Sequence, residues 1–377
     1  MAAKVLRFGV LGPLEMTVDA KPVPLGTPKQ RAVLAMLVIN RNQPVAASSL
    51  ISAAWEGWPP PGAKASMHSY VSEIRRLLGD AGVDPSPILA STAQGYLLSL
   101  PETDCDLGRF VAEKTAGVVA AAAGRFEQAS RHLSAALAEW RGPVLDDLRN
   151  FHFVDALATA LTEDKVMAQA ARAEAEIACG RGYAVISELE ALTAQHPYRE
   201  PVWAQLITAY YVAERQSDAL EAYRRFKATL AHDLGIDPGP TVRALHERIL
   251  RQEPLDVQQQ ARAAAVGQVT ELDRRTTMGV GGAAAALRDP AGHRHLLQAV
   301  ATRIGRLADN EIVLDDAKVS RHHAVIIDTG SRYIINDLRS ANDFYVQDEC
   351  VHTSATLNDG DHVRICTHEF TFEAGPK

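Results

Sequence analysis

The spacing of apolar and polar positions changes twice in the first hundred residues, from alternation to helical spacing and back. Thr27 and Pro28 mark the start of the first helix, because threonine caps helix N-termini and proline suits a first turn. The proline-rich stretch EGWPPPG (56–62) separates the second helix from the third. In chain order the pattern predicts strands at 6–12 and 14–25, helices at 27–40, 46–55 and 63–79, the last ending at a glycine, and strands at 88–92 and 95–100.

The third predicted helix has two different faces. Met67, Val71, Ile74 and Leu78 recur at i, i+4, i+7 and i+11, which predicts one buried stripe. The other face suits a DNA major groove, where serine and histidine reach base edges and arginine takes phosphate or guanine, although it also carries Glu73. A plain amphipathic helix with a solvated polar side explains this face equally well. Its polar residues are Lys64, Ser66, His68, Ser69, Ser72, Arg75 and Arg76.

Helical spacing continues from 107 to 250, where Ala, Leu and Glu are abundant. Three stretches share a pattern, and their anchors are Ala129, Val185 and Ala219. The last two anchors lie 34 residues apart, which is the period of tetratricopeptide repeats. One such helix pair cannot bury its apolar face alone, so we expect stacked pairs to supply the core. A plain helical bundle is the alternative.

Two adjacent acidic pairs in this region are interpreted as solvated charge. They are Asp146–Asp147 and Glu163–Asp164. Neighbouring residues on a helix do not face each other, so neither pair has the geometry of a catalytic dyad.

Apolar periodicity fades between residues 251 and 282, where Gln, Ala and Gly dominate. This composition is typical of a connector that is partly helical and partly flexible. Its glycines form neither GxxxxGK nor GxGxxG, which argues against a nucleotide site. Thr276 and Thr277 follow two arginines and are candidate kinase targets, although most exposed threonines are not modified.

From about residue 283, nine short β-type runs separated by polar turns predict an all-β sandwich. Basic and hydroxyl side chains concentrate in three loops, at 304–314, 318–326 and 337–346. Arginine forks and hydroxyl groups are the donors that a phosphate group needs. The donors in these loops are Arg306, Ser320, Arg321, Arg339, Ser340 and Asn342.

A metal site is a weaker interpretation of the same region. It would use His322, His323, Cys366 and His368. The two adjacent histidines would point to opposite faces of a strand, and no usual zinc spacing is present. We therefore expect neither a metal nor another cofactor. Because the sequence contains no evident nucleophile–base pair or cofactor loop, we also expect no enzymatic activity.

The composition is that of a soluble globular protein. Of 377 residues, 47% are hydrophobic and 23% are charged, and this length predicts two or three domains. No run of eighteen apolar residues is present, and the first residues are interrupted too soon to form a secretory signal, so we expect a cytoplasmic protein. The four cysteines form no CxxC pair and are expected to be reduced thiols.

The net charge of −7 is unevenly distributed. Residues 1–100 contain nine Lys and Arg against six Asp and Glu, whereas residues 101–255 contain 17 against 23 and residues 256–377 contain 13 against 17. A modestly basic N-terminal segment permits nucleic-acid binding there and argues against it in the rest of the chain.

The order of strands, three helices and a hairpin resembles the winged-helix DNA-binding domain of the OmpR/PhoB type, in the variant that opens SARP-type bacterial regulators. The resemblance is carried by FGVLGPLEM, TPKQRAVLAMLV, SYVSEIRRLLG and GYLL. It implies that the helix at 63–79 is the recognition helix and that residues 88–99 form the wing. Thr92, Gln94 and Tyr96 are then candidates for minor-groove or backbone contacts.

The middle segment resembles the bacterial transcriptional activation domain that follows the winged helix in SARP-type regulators. The likeness is most visible in AYRRFKATLAHDLGIDPGP (222–240). In such regulators the loop before the recognition helix, EGWPPPG (56–62) in this sequence, commonly contacts RNA polymerase. Both features imply a transcriptional regulator whose helical middle domain serves contacts with partners or between domains.

Gly–Arg, Ser-x-x-His, and an Asn with an upstream Ser, in this order and spacing, resemble the forkhead-associated (FHA) domain, a family that binds phosphothreonine peptides. The resemblance implies that Arg306 and Ser320 hold the phosphate and that Arg321 and Ser340 flank it. It further implies that Asn342 bonds the peptide main chain. By the same resemblance, His323 and Gly305 shape the loops.

One residue departs from the FHA pattern. Asp343 stands directly after Asn342, where FHA domains generally have glycine. Aspartate tolerates positive φ better than most residues, so the loop can keep its shape. Its carboxylate, roughly 8 Å from a dianionic phosphate, costs on the order of 1 kcal/mol. We therefore expect weakened phosphopeptide binding or a preference for a basic residue near the phosphothreonine.

This order of domains is similar to bacterial regulators that act downstream of a membrane Ser/Thr kinase. We predict a multidomain α+β protein that acts as a DNA-binding transcriptional regulator, controlled by kinase signalling through phosphothreonine docking. The implied partners are promoter DNA, RNA polymerase and an autophosphorylated Ser/Thr kinase, with self-association and without membrane insertion. The alternative is an FHA-based adaptor or competitor that inhibits a kinase's signalling to another regulator. The predicted domains are 1–101 (winged helix), 105–252 (tetratricopeptide-like activation domain), 253–282 (linker) and 283–377 (FHA sandwich).

Overall fold

The chain forms two compact units. Residues 1–111, 139–164 and 272–377 make up the first, and residues 112–138 and 165–271 make up the second. A computed structural model describes residues 4–56, 58–93, 95–277, 285–297, 301–307, 310–328, 333–338, 340–342, 344–351 and 353–374. Across these ranges, the structure contains no helix that is both long enough and apolar enough to cross a membrane.

The N-terminal part of the first unit consists of three helices and two small antiparallel sheets. Its strands are β1 (Leu6–Gly9), β2 (Glu15–Val18), β3 (Lys21–Pro22), β4 (Pro44–Ala46), β5 (Leu89–Ser91) and β6 (Gly95–Leu98). Its helices are α1 (Pro28–Ile39), α2 (Ala47–Trp55) and α3 (Ala63–Asp80). The strand orders are β1-β2-β3 and β4-β6-β5, so that β5 and β6 form a hairpin next to α3 in the manner of a winged helix.

Local signals in the sequence account for the start of α1 and the buried face of α3. The Thr27 hydroxyl accepts a hydrogen bond from the Gln30 backbone N–H, and Pro28 is the first helical residue, as predicted. The predicted apolar stripe of α3 is also confirmed. Its four members are all buried: Met67, Val71, Ile74 and Leu78.

The end of α3 differs from the prediction. The helix passes through Gly79 and ends at Asp80. The residue with left-handed backbone is Gly82, at φ +77°, and the next N–H, that of Val83, bonds the Leu78 carbonyl at 2.9 Å. This six-to-one bond is typical of a glycine C-cap, so the stop signal lies three residues beyond the predicted one.

Two carboxylates from beyond the wing complete the N-terminal fold. Asp106 is 2% exposed and accepts hydrogen bonds at 2.9 Å from the backbone N–H groups of Val10 and Leu11. Asp147 accepts from the Leu14 N–H at 2.7 Å and forms an ion pair with an arginine of α1. The strands at the start of the chain therefore depend on residues more than ninety positions away.

The interpretation of the acidic pairs as solvated charge is wrong for two of their members. Asp147 is held in the ion pair just described, with its side chain 18% exposed. Asp164 is fully buried in α6 (His152–Ala178). A buried carboxylate needs partners, so these residues belong to the packing of the fold.

The remaining helices build the middle of the chain. They are α4 (Asp106–Ala122), α5 (Phe126–Ala138), α6, α7 (Ile186–Gln195), α8 (Glu200–Val212), α9 (Gln216–Asp233), α10 (Pro240–Leu250) and α11 (Val257–Thr277). The three repeat anchors, Ala129, Val185 and Ala219, are completely buried. In the core of the second unit, Trp203 and Phe226 stack with ring centroids 5.2 Å apart.

The helical part expected of the connector is present in the structure. Helix α11 covers its residues 257–277, whereas residues 278–284 lie outside the described part of the chain. The Gln258 amide bonds the Ala178 carbonyl at 3.2 Å, and the Arg262 guanidinium bonds the Ala122 carbonyl at 3.1 Å. The first half of this segment therefore packs as part of the second unit, because polar anchors hold it to α4 and α6.

The C-terminal part of the first unit is a β-sandwich. Its strands are β7 (Ala286–Arg288), β8 (Arg294–Leu296), β9 (Ala301–Gly305), β10 (Ile312–Val313), β11 (Ala324–Asp328), β12 (Tyr333–Asp337), β13 (Phe344–Val346), β14 (Glu349–Val351), β15 (Ser354–Leu357), β16 (His362–Ile365) and β17 (His368–Glu373). The two sheets have the orders β10-β9-β11-β12-β15 and β14-β13-β16-β17-β7-β8. Phe344, Phe372, Ile304 and Ile335 are completely buried in the core.

Candidate phosphopeptide site and DNA interface

The loops after β9 and before β11 are joined along their backbones. The Arg306 N–H donates to the Ser320 carbonyl at 3.0 Å, and the Leu307 N–H donates to the Arg321 carbonyl at 3.3 Å. Gly305 allows this approach, because a Cβ atom there would lie 2.4 Å from the Arg321 carbonyl oxygen. The glycine therefore sets the distance between two loops that carry predicted phosphate donors.

The third loop, between β12 and β13, is tied to the same place. The Ser320 hydroxyl accepts a hydrogen bond from the Ala341 N–H at 2.9 Å. The Asn342 amide donates to the Lys318 carbonyl at 2.7 Å, and the Ser340 hydroxyl donates to the Asn342 carbonyl at 2.7 Å. All three loops that the sequence singles out are thus connected in one hydrogen-bond network.

Beneath the loops, His323 supports the network from inside the sandwich. It is completely buried, and its Nδ1 accepts a hydrogen bond from the Ser320 N–H at 3.2 Å. Burial lowers the pKa of the imidazole, which favours the neutral ring that this acceptor role requires. The structure therefore agrees with the loop-shaping role that the family resemblance implies for His323.

Sequence reasoning missed Asn310, which clamps two of the loops. Its amide N–H groups donate to the carbonyls of Leu307 and Arg321, both at 2.8 Å, and its oxygen lies 3.0 Å from Nδ1 of His322. The residue is 6% exposed. A buried asparagine in a loop is a recognisable signal only once its neighbours in space are known.

The predicted site residues differ in how far they reach solvent. Arg306, Arg321 and Asn342 are exposed, whereas Ser320 and Ser340 are half-buried. Two exposed guanidinium groups next to hydroxyl groups form a surface that suits an anion. Asn342 uses one amide N–H in its bond to Lys318. Its second N–H and its oxygen remain able to pair with a peptide main chain.

Two further loop residues singled out in the sequence, Arg339 and Asp343, lie outside the described residues. The charge effect expected of Asp343 therefore stays a prediction.

The residues of the alternative metal site have other contacts. His322 faces Asn310, the Cys366 thiol lies 3.3 Å from the Lys318 carbonyl, and His368 lies 3.6 Å from Asp316. Among the residues that the structure describes, no group of three His, Cys, Asp or Glu side chains is arranged to hold a metal ion.

The polar face of α3 presents a mixed surface. Lys64, His68, Ser69, Ser72 and Arg76 are exposed, and Ser66 and Arg75 are half-buried. The Ser69 and Ser72 hydroxyls bond carbonyls one turn earlier in the helix, at 3.1 and 3.0 Å. They remain at the surface and can exchange these bonds for contacts with DNA.

The two arginines of α3 are engaged within the winged helix. Arg75 donates to the Leu89 carbonyl at 3.1 and 2.9 Å and to the Ser91 hydroxyl at 3.0 Å, which fixes β5 against α3. Arg76 pairs with Glu73 and Asp80. The hydrogen bonds that Arg76 donates to the Glu73 carboxylate, together with the negative charge of Glu73, raise the pKa of the Arg76 guanidinium. Arg76 must therefore exchange carboxylate partners for any DNA phosphate that it contacts.

A hydrogen bond between Tyr96 and His68 fixes the wing to α3. Tyr96 is 6% exposed, and its hydroxyl lies 2.6 Å from Nδ1 of His68. A minor-groove role for Tyr96 is therefore not supported by its burial, and the residue instead positions the wing. The Thr92 hydroxyl accepts a hydrogen bond from the Gly95 N–H at 3.0 Å and closes the turn, whereas Gln94 lies outside the described residues.

Three protein families match successive parts of the chain. The family described as "Transcriptional regulatory protein, C terminal" matches residues 21–98. "Bacterial transcriptional activator domain" matches residues 105–250, and "FHA domain" matches residues 302–366. The matches confirm the predicted fold class of a winged helix, a helical activation domain and an FHA sandwich, and the predicted domain limits stay predictions.

The relatives extend this agreement to almost the whole chain. A protein described as "Transcriptional regulatory protein EmbR" from Mycobacterium tuberculosis is 69% identical over 371 residues, which is 98% of this chain and 96% of the relative. The chain belongs to the EmbR family of transcriptional regulators. "Transcriptional regulatory protein MoaR1" of the same organism is 53% identical over 255 residues, covering 67% of this chain and 82% of that relative.

A solved structure of an EmbR family member has the same fold. It is described as "Mycobacterium tuberculosis EmbR in complex with low affinity phosphopeptide" and is 68% identical to this chain. The match covers 99% of both chains with a TM-score of 0.93. The chain is thus a transcriptional regulator with a winged-helix DNA-binding domain and an FHA domain, as the sequence predicts.

Proposed function

We propose that this regulator binds promoter DNA through α3 and the wing, and docks on a phosphothreonine of a Ser/Thr kinase through its FHA loops. The observation that carries the proposal is the hydrogen-bond network that joins the loops of Arg306, Ser320 and Asn342. A network of this kind holds donors from separate loops in fixed positions before a ligand arrives, which lowers the entropic cost of binding.

In this proposal different donors contact different parts of the phosphopeptide. Arg306 and Ser320 bind the phosphate, Arg321 and Ser340 flank it, and Asn342 bonds the peptide main chain. Charge-assisted hydrogen bonds from guanidinium groups are among the stronger contacts available to a phosphate. The solved complex of the M. tuberculosis relative with a low affinity phosphopeptide supports this class of ligand.

Titration calorimetry with a phosphothreonine peptide and its unphosphorylated form tests the docking step. We expect the full chain to prefer the phosphorylated peptide. Arg306→Ala should weaken binding about 10- to 100-fold, because it removes charge-assisted hydrogen bonds. Arg294→Ala is the matched control, since Arg294 pairs with Glu373 elsewhere on the sandwich. Equal affinity for the two peptides would contradict the proposal.

For the DNA-binding step, α3 enters the major groove and the residues of the 56–62 loop face RNA polymerase. Lys64 is exposed at the start of α3, so Lys64→Ala should weaken promoter binding and reduce the salt slope by about one. A gel-shift series over several salt concentrations measures both quantities. An unchanged salt slope would place the DNA contact elsewhere. Self-association on the promoter would add a second, slower band.

One observation favours the alternative function of kinase adaptor. Arg75 is bonded to β5, and Arg76 is paired with two carboxylates, so α3 offers fewer available cations than its sequence suggests. An adaptor would occupy the kinase phosphothreonine and inhibit signalling to another regulator without binding DNA. A kinase assay with and without the chain, run beside the gel shift, separates the two functions. Inhibition without a shifted DNA band supports the adaptor.

A further inference from the structure

Within the first unit, the FHA sandwich contacts the second helix of the winged helix. Arg303 of β9 donates to the Ser52 hydroxyl at 2.9 Å. Glu311 accepts from the Ser49 hydroxyl at 3.2 Å and forms an ion pair with Arg303 at 3.1 Å. The two serines are one helical turn apart on α2 and are 8% and 9% exposed. The contact is therefore a polar patch withdrawn from solvent.

A second contact lies at the loop that follows α2. The guanidinium carbon of Arg321 lies 5.9 Å from the ring centroid of Trp58. The Trp58 N–H bonds the Trp55 carbonyl at 2.9 Å, and three prolines follow directly in the sequence, which restricts the backbone of the loop. Trp58 is nevertheless 77% exposed, so its ring is available at the surface.

A guanidinium group can use its face and its edge at the same time. Its face stacks on an aromatic ring, while the N–H groups along its edge donate to a phosphate. Arg321 has a long side chain with many rotamers, and fixing such a side chain opposes binding. A ring that already restrains the guanidinium removes part of this cost.

We propose that Trp58 is a positioning residue for phosphopeptide recognition, so that the binding site is shared between the FHA loops and the loop before α3. The inference rests on the proposed FHA function and adds a residue from another domain to it. Because coupling between two equilibria is reciprocal, a bound phosphopeptide also stabilises the contact between Arg321 and Trp58. Phosphopeptide binding is thereby linked to the conformation of residues 58–62.

A double-mutant cycle in the full chain tests the proposal. The probe is a fluorescent phosphothreonine peptide with neutral flanking residues, with its unphosphorylated form as reference. We expect Trp58→Ala to weaken binding about two- to fivefold, the effect of an exposed cation–π contact. The same substitution should have no effect in an Arg321→Ala background. Trp58→Phe should restore most of the affinity, because phenylalanine keeps an aromatic face.

Tyr183→Ala is the matched control, because it removes an aromatic ring that is 70% exposed on the second unit. A second measurement follows intrinsic fluorescence, which should change when the phosphopeptide saturates the wild type and stay constant in Trp58→Phe. Wild-type affinity of Trp58→Ala, or an equal loss with and without Arg321, would overturn the inference. If the wild type does not prefer the phosphorylated probe, the proposed function itself fails, and the two failures are distinguishable.

Discussion

Replacing Gly305 with alanine should damage the phosphopeptide site more than its small size suggests. The new Cβ atom would lie 2.4 Å from the Arg321 carbonyl oxygen and 2.9 Å from the Asn310 amide nitrogen. The first of these neighbours is backbone, which cannot rotate away. The loops before and after the glycine must therefore separate, and Arg306 and Arg321 move with them.

The substitution is expected to lower both the stability of the sandwich and its affinity for phosphopeptide. Inserting a methyl group into a closely packed site costs about 1–3 kcal/mol of stability. Misplacing one charge-assisted hydrogen bond to the phosphate costs about 1.5–3 kcal/mol of binding free energy, which corresponds to about 10- to 100-fold in affinity. We therefore expect Gly305→Ala to unfold more easily and to bind phosphopeptide at least tenfold more weakly.

Gly360→Ala is the matched control for this prediction. Gly360 has a left-handed φ of +84°, but nothing lies within 4 Å of its missing Cβ. Alanine there should cost about 1 kcal/mol of stability through backbone strain and leave phosphopeptide affinity unchanged. Urea unfolding and calorimetric titration of both variants separate the two effects. Wild-type binding by Gly305→Ala would refute the argument that this close approach sets the site.

Three further predictions concern stability and DNA binding. Burial raises the pKa of Glu174 to about 7, so the second unit should lose stability as the pH rises from 4.5 to 7. In urea unfolding at pH 8, Glu174→Gln should therefore be about 1–3 kcal/mol more stable than wild type. Asp106→Ala should destabilise the N-terminal fold by about 3–5 kcal/mol in the same assay, because it leaves buried N–H groups unpaired. Glu73→Gln should release Arg76 and strengthen promoter binding with a steeper salt slope in gel shifts.

Each of these predictions has an outcome that would contradict it. An advantage of Glu174→Gln that persists below pH 4 would exclude ionisation as its cause, and Glu176→Gln should show the opposite sign at pH 8, because Arg181 and Ser130 lower the pKa of Glu176. If Asp106→Ala is about as stable as wild type, other groups must accept the hydrogen bonds of the Val10 and Leu11 N–H groups. If Glu73→Gln still strengthens binding in an Arg76→Ala background, the arginine is not the DNA contact.

Periodic features of the fold could be predicted well from the sequence. The buried stripe of α3 follows from spacing along one helix, where neighbours in sequence are neighbours in space. The buried anchors Val185 and Ala219 follow from the 34-residue repeat period. Each of the nine β-type runs overlaps a strand of the sandwich, because the alternation of apolar and polar residues along a strand is also a local property of the sequence. The short strands β14 and β15 fall outside these runs, because their few apolar residues leave little alternation to detect.

Features that depend on distant parts of the chain could not be predicted in this way. Tyr96 has the position of a wing residue in sequence, but its hydroxyl meets His68 across the fold. Asn310 and Trp58 acquire their roles from carbonyls and a guanidinium that other loops supply. Asp147 lies beside another acidic residue in the sequence, and only the return of the chain to α1 makes it part of an ion pair.

The long-range bonds of Asp106 and Asp147 also determine when the DNA-binding head can finish folding during synthesis. The backbone donors of Val10 and Leu14 find their acceptors 96 and 133 residues later. A ribosome that has just completed the wing must add nearly fifty more residues, which takes roughly 2–10 s at bacterial elongation rates. Until then the backbone N–H groups in the turn between β1 and β2 lack these acceptors, so a nascent chain stalled after the wing presents an unfinished head to chaperones and proteases.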